Sequence, residues 1–244
     1  RRPRRMSEVE ARGTIEYGEI GMVEPGTEEF AELCRSLDCR SLPYRFVKRL
    51  FDIVFSACVI VAGFAPCLLL ALAIVVDTKG SPIYSQIRVG KYGRPFRVWK
   101  FRSMVADSDD VEKHLSKEQL AQWNAERKVD DDPRVTKLGR VIRRLSLDEL
   151  PNLLNVFCGE LSVIGPRAIT YDELGHYGSQ AAELLSVPQG VTGLWQVGDR
   201  NSATFENGMR QAIELEYVKR ASLRTDVAIF FDTFGAMFVR RTGK

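Results

Sequence analysis

Histidine is nearly missing from this chain. Only His114 and His176 occur among 244 residues, which leaves no multi-histidine metal centre and argues against a histidine-driven hydrolase. No GxGxxG and no Walker sequence is present, so the usual glycine loops that cradle phosphates are excluded. The five cysteines, Cys34, Cys39, Cys58, Cys67 and Cys158, make no disulfide framework. Two of them sit in an apolar run, and Cys34 with Cys39 lack two further ligands for a zinc site. Free thiols in a reducing compartment are the expectation. The chain has no internal repeat, and its length suits one domain or one domain with appendages. Its chemistry must then rest on carboxylates, arginines and a hard cation.

Charge is also missing locally. Ile53 to Val76 contains no Asp, Glu, Lys or Arg and is long enough to cross a hydrocarbon core of roughly 30 Å at about 1.5 Å per residue. It lies too far from the N-terminus, and is too long, for a signal-peptide core. Pro66, preceded by Gly63 and Ala65, interrupts it and predicts a kink, because proline removes a backbone donor and clashes with the preceding turn. Arg45, Lys48 and Arg49 precede the run; Lys79, Arg88, Lys91, Arg94, Arg97, Lys100 and Arg102 follow it. A spanning helix would put one basic flank on the wrong side. A helix that enters, bends at Ala65-Pro66 and leaves through the same face satisfies both. That re-entrant segment, 45–77, is the expectation, with a kinked spanning helix and a buried helix of a soluble protein as the alternatives.

Residues 1–44 open with Arg1, Arg2, Arg4 and Arg5 and read as an N-terminal extension or linker, solvated or touching anionic lipid, with a short helix at Glu28 to Leu37. After the apolar run, residues 78–244 form the expected catalytic domain. Pro82 to Val89 and Pro95 to Phe101 read as strands joined by a glycine turn at Gly90 to Gly93. Helices are expected over Asp107 to Arg127 (capped by Asp107 or Ser108), Val135 to Leu145, Asp172 to Leu185, Phe205 to Lys219 and Thr225 to Val239. The last is amphipathic and suits a membrane interface or the domain core. Asp130-Asp131-Asp132-Pro133 reads as a solvated turn. The fold class is α+β, mainly helical: a helix-hinge-helix membrane segment, amphipathic interfacial helices and short strands.

Between these elements lies Arg143-Arg144-Leu145-Ser146-Leu147-Asp148-Glu149-Leu150-Pro151. It reads as a helix start. Ser146-x-x-Glu149 has the spacing of a capping box. A functional reading competes: acids at the positive end of a helix stay ionised, and phosphates gather there.

With these pieces placed, the chain resembles the bacterial monotopic polyprenyl-phosphate phosphoglycosyl transferases, closest to the undecaprenyl-phosphate hexose or galactose phosphotransferase type. The resemblance rests on KRLFD (Lys48 to Asp52), QIRVG (Gln86 to Gly90), PFRVWKFRSM (Pro95 to Met104), DPRVTKLGRVIRRLSLDELPNLLNV (Asp132 to Val156), GELSVIGPR (Gly159 to Arg167) and GVTGLWQV (Gly190 to Val197). It departs from the family's pattern at Ala65-Pro66, Ala168, Pro188-Gln189-Gly190 and Gly198-Asp199-Arg200, which bears on the choice of sugar more than on the reaction. The extension resembles a linker in larger members with further transmembrane helices upstream.

The resemblance implies transfer of a sugar phosphate from a UDP-sugar to undecaprenyl phosphate at the cytoplasmic face of the inner membrane. It makes Asp148 the nucleophile and Glu149 its partner, both near Mg²⁺. Arg143, Arg167 and Arg200, with Arg88, Lys100 and Arg102, would bind substrate phosphates, a role that suits the planar arginine fork. Bacterial membrane lipids are the expected surroundings, and a homodimer is compatible with the sequence. Two other functions compete. One is a single-pass anchor whose basic domain only binds lipid or a protein partner. The other is nucleic-acid binding by Lys79 to Arg102, where Tyr92, Phe96 and Trp99 interleave; the adjacent membrane segment argues against it.

Overall fold

The computed structural model describes residues 15–16, 22–126, 129, 131–198 and 203–238. Among these the protein is mainly helical, with one long apolar helix and a few short strands. Strands β1 (Ile15–Glu16) and β2 (Met22–Val23) form a minimal antiparallel pair. Helix α1 (Glu28–Leu37) follows, where the sequence places it, with the Thr27 hydroxyl accepting from the Phe30 N–H at 3.2 Å. Phe30 and Cys34 are fully buried in a cluster with Val89, Ile169, Leu174 and Leu184. From Glu28 onward the extension is therefore packed, not solvated.

Helix α2 (Leu42–Thr78) is 37 residues long, begins at the Ser41 cap and ends at Lys79 in the left-handed region. At about 1.5 Å per residue it is roughly 55 Å long. Helical conformation continues through Ala65 and Pro66, so any bend there is made within the helix rather than by a break. Only 6 % of its most apolar stretch is buried; Phe46, Val61, Phe64, Leu69 and Val76 are exposed. That removes the reading as the core helix of a soluble protein, since such a helix hides its apolar side chains.

One stripe of α2 is polar and buried. Tyr44 Oη and Lys48 Nζ each reach Asp226 Oδ2 at 2.8 Å, and Tyr217 Oη donates to Asp226 Oδ1 at 2.8 Å. A turn further on, Asp52 Oδ1 accepts from the Val163 N–H at 2.9 Å and the Ser162 hydroxyl at 3.0 Å. Arg49 donates to the Val156 and Phe157 carbonyls at 2.6 and 2.7 Å. Tyr44, Lys48 and Asp52 recur every four residues, the spacing that puts them on one helix face, and Arg49 lies three residues before Asp52. Lys48 and Arg49 were counted above as a basic flank; they are spent on the domain instead.

Strands β3 (Ile83–Val89) and β4 (Pro95–Phe101) make an antiparallel hairpin with Arg88 opposite Phe96 and Lys100 opposite Tyr84. The glycine turn between them has Tyr92 at φ 64° and Gly93 at φ 75°. The single helix expected over Asp107 to Arg127 is two: α3 (Val111–His114), capped by Asp110 rather than Asp107 or Ser108, and α4 (Lys117–Glu126). Ser116 and Gln119 exchange side-chain and backbone bonds at 3.2 and 3.1 Å. That local capping pair restarts the helix. Helix α5 (Lys137–Arg144) is capped by Thr136.

Helix α6 (Asn152–Cys158) leads into β5 (Ser162–Ile164), which pairs in parallel with β6 (Gly190–Thr192). A Cβ on Gly190 would overlap the Gly165 backbone, so the GPR and GVTG segments meet through bare backbone. The helix expected over Asp172 to Leu185 is interrupted: α7 (Tyr171–Leu174) and α8 (Ala181–Leu184) flank a 3-10 stretch in which Gly178 has φ 49°. After α9 (Leu194–Val197), α10 (Met209–Arg220) starts later than expected because Gly208 sits at φ 70°. Helix α11 (Leu223–Phe238) closes the described chain.

Asp226→Ala would strand the Lys48 ammonium and two tyrosine hydroxyls in a dry site. Breaking such a buried pair costs about 3–5 kcal/mol, and chemical denaturation in detergent should read a loss of that size.

Candidate active site

Asp148 and Glu149 lie in a 3-10 turn, Leu147–Glu149, not in the first turn of a helix. Ser146 has φ 54° and makes no side-chain cap bond; α6 begins only at Asn152, after Pro151. The capping-box expectation is therefore wrong. The reason is upstream: Ser146 is the left-handed residue that ends α5, its N–H bonding the Arg143 carbonyl at 3.1 Å. A residue that terminates one helix in that conformation cannot also present its hydroxyl as the extended cap of the next. Glu149 is then free to turn to Lys100, with Nζ to Oε1 at 2.8 Å.

Two apolar residues seat this turn. Leu147 and Leu150 pack with Phe101 of β4, Ile142 of α5 and Ile74, Ala71, Leu70 and Cys67 of α2. The acid pair thus rests on the half of the apolar helix that follows Pro66. Around Asp148 stand Lys100, Glu149 and Arg143, and Arg143 Nε donates to Ser103 Oγ at 2.8 Å. Burial raises the Asp148 carboxyl above its ordinary value, Lys100 and Arg143 pull it down, and Glu149 pushes it up. Two carboxylates and two cations in one half-buried turn can hold an anionic phosphate ester beside a carboxylate oxygen.

The remaining candidates divide. Arg88 and Arg167 gather in a different group, with Glu173, Glu214 and Arg210. Arg88 Nη1 reaches Glu173 Oε2 at 2.8 Å, Arg210 Nη1 reaches Glu173 Oε1 at 3.5 Å, and the Arg167 N–H donates to Glu214 Oε2 at 3.1 Å. The Arg167 guanidinium lies 5.6 Å from the Trp195 ring centroid. Arg88 and Lys100 share one face of the β3–β4 hairpin four positions apart along β4, about 13 Å at 3.3 Å per residue. Phe96 and Val98 between them are buried against α6. Arg102 donates to the Ser81 and Ala106 carbonyls at 2.8 and 3.2 Å, which braces the end of the hairpin. Arg200 lies outside the described residues. Asp130 also lies outside the described residues, and Asp132 is spent on a forked pair with Arg134 at 2.9 and 2.6 Å.

The residues missed from sequence are Arg210, Glu214 and Glu173. Their only signal was the i, i+4 spacing of Arg210 and Glu214, which is too common to single out.

Among the described residues no group of three or more His, Cys, Asp or Glu side chains could hold a metal. The donor set at Asp148 and Glu149 is two carboxylates, one shared with Lys100. That suits Mg²⁺ arriving with substrate phosphates, since Mg²⁺ keeps most of its shell as water and phosphate oxygens, and does not suit an all-protein cage.

A half-buried acid pair, flanked by cations, is thus seated on an exposed apolar helix. The chain belongs to the bacterial sugar transferase family, whose description matches residues 43–240. It is 42 % identical over 199 residues to the UDP-galactose-lipid carrier transferase of Erwinia amylovora, covering 80 % of this chain and 41 % of that protein. It is 41 % identical over 198 residues to the exopolysaccharide production protein ExoY of Rhizobium meliloti (strain 1021), covering 80 % of this chain and 86 % of that one. To the undecaprenyl-phosphate galactose phosphotransferase of Salmonella typhimurium it is 42 % identical over 202 residues, or 82 % of this chain and 42 % of the relative. The chain thus spans about two-fifths of the first and third of these relatives.

Burial raises Glu214 from 4.5 to about 7, against the pull of the Arg167 N–H and of Arg210 and Arg167. The folded state then holds a proton that the unfolded state gives up, so stability falls as pH rises from about 4.5 to about 7. In paired melts, Glu214→Gln should remove that part of the slope; parallel wild-type and variant curves would count against it.

Proposed function

We propose that this protein is a membrane phosphoglycosyl transferase, moving a sugar phosphate from a UDP-sugar to undecaprenyl phosphate for polysaccharide or glycoconjugate assembly. The observation that carries the proposal is Asp148, held beside Glu149, Lys100 and Arg143 on a turn that packs on the apolar helix. Two relatives named for such activities, an undecaprenyl-phosphate galactose phosphotransferase and a UDP-galactose-lipid carrier transferase, support the same chemistry.

In this reading a carboxylate oxygen of Asp148 attacks the sugar-bearing phosphorus. The bond from that phosphorus to the nucleoside monophosphate oxygen breaks, and the monophosphate leaves with the electron pair. The acyl phosphate so formed is then attacked at the same phosphorus by an oxygen of the lipid phosphate, and Asp148 departs as carboxylate. Splitting the displacement lets two anionic substrates use one site in turn. Lys100 and Arg143 neutralise the phosphate oxygens, and Lys100 also fixes Glu149. Mg²⁺, when bound through Asp148 and Glu149, would supply charge stabilisation at the transferring phosphoryl group.

The re-entrant arrangement belongs to the same proposal. Tyr44, Lys48, Asp52, Phe55, Val59 and Ile60 of α2 pack on the folded domain, and so do Cys67, Leu70, Ala71 and Ile74 beyond Pro66. A helix bound to one polar domain along both halves does not run straight through a bilayer with that domain on one side. This supports entry and exit through the cytoplasmic face of the inner membrane, with the lipid phosphate at the depth of Asp148.

Asp148→Asn should lower nucleoside monophosphate release by at least about 10³-fold, as loss of a covalent nucleophile does. The assay uses a panel of UDP-sugars with undecaprenyl phosphate and Mg²⁺. Full activity in the variant, or no release from any donor, would sink the mechanism and favour the anchor-only reading. For topology, tags before Arg45 and after Lys244 should both be reached by membrane-impermeant reagent only from the cytosolic side; labelling on opposite sides would make the helix spanning.

A further inference from the structure

Arg210 has a buried hydrogen-bonding edge that its surroundings leave unfilled. Its guanidinium carbon lies 4.4 Å from the Trp195 ring centroid and 4.0 Å from that of Phe205, a cation–π contact with each. Nη1 is turned to Glu173 Oε1. Nε and Nη2, which together make one side-on fork, have no hydrogen-bond partner among the described residues, although Arg210 is only 8 % exposed. One helical turn along α10, Glu214 is 1 % exposed and leaves Oε1 without a partner while Oε2 is held by the Arg167 N–H. The buried Tyr177 hydroxyl, close enough to feel the charges of both residues, is likewise unpaired. A buried polar group left unsatisfied is destabilising. Three side chains facing one another in that state describe a site made to receive something.

We propose that Arg210, with Arg88 and Arg167 beside it, is a second oxyanion site, and that Glu214 and Tyr177 bind a hydroxyl next to the bound oxyanion. An arginine fork matches two oxygens of a phosphate, while a buried acid and a phenol match a group that both donates and accepts. A phosphate with neighbouring hydroxyls is the ligand class that satisfies all of them. The inference rests on the transferase reading for that class: a nucleoside monophosphate and a hexose 1-phosphate both carry this chemistry, and both are parts of a nucleotide sugar. It does not rest on Asp148 as nucleophile.

The test is hydrogen exchange by mass spectrometry on the full chain in lipid nanodiscs with UMP, galactose 1-phosphate or inorganic phosphate. Slower exchange over 205–217 and 167–177 is expected with UMP or the sugar phosphate, more than with inorganic phosphate. The probe that protects names the source of the oxyanion. Arg210→Lys keeps the charge and loses the fork; its affinity for that probe should fall about tenfold, the worth of one charge-assisted hydrogen bond, with an unchanged melting temperature. The inference is overturned if no probe protects these segments in the wild type, or if Arg210→Lys binds every probe unchanged. Protection confined to 143–150 overturns it and leaves the transferase reading standing; no binding of any probe together with no monophosphate release overturns both.

Discussion

The Asp226 carboxylate, buried where α2, α10 and α11 meet, is the tie on which the other parts depend. An ion in a dry site is tolerated only when paired and hydrogen-bonded, and Lys48, Tyr44 and Tyr217 meet that requirement together. Three elements are thereby locked to one point. Asp52, buried further along α2, holds the start of β5 in the same way. With the first half of α2 fixed, the residues beyond Pro66 are carried to the place where Leu147 and Leu150 need an apolar floor. The position of the acid pair follows from an anchor many residues away.

The charged residues sort into two groups with different characters. Around Asp148 the cations are partly exposed and face a short turn. In the other group Arg210 is buried, lies over the Trp195 and Phe205 rings and pairs with Glu173, so it is pre-organised and costly to leave unmet, while Arg88 and Arg167 beside it are half-buried. The hairpin joins them, with Lys100 toward one and Arg88 toward the other.

Legibility from sequence followed the range of the interactions. The glycine turn between β3 and β4, helix α1, and the extent of the apolar run were all visible, because composition and neighbouring residues specify them. Helices expected whole at Asp107 to Arg127 and Asp172 to Leu185 are broken, since Ser116 with Gln119 and Gly178 act over a few residues and override an apolar pattern. Ser146 misled for a related reason: its spacing to Glu149 fits a cap, but its backbone was already committed to ending α5.

By itself the sequence determined that this is a mainly helical protein with one long apolar segment, only two histidines, and an acid pair set among arginines and lysines. Hydropathy, residue inventory and ordered motifs are properties of the chain and survive without coordinates. Only the tertiary structure decided that Lys48 and Arg49 are anchors and not a topological signal, that Lys100 and Arg143 accompany Asp148, and that Arg88 and Arg167 join Arg210 and Glu214 instead. Those assignments turn on which charges find partners across long separations in sequence, and burial, which makes an unpaired charge expensive, is settled only once the chain is folded.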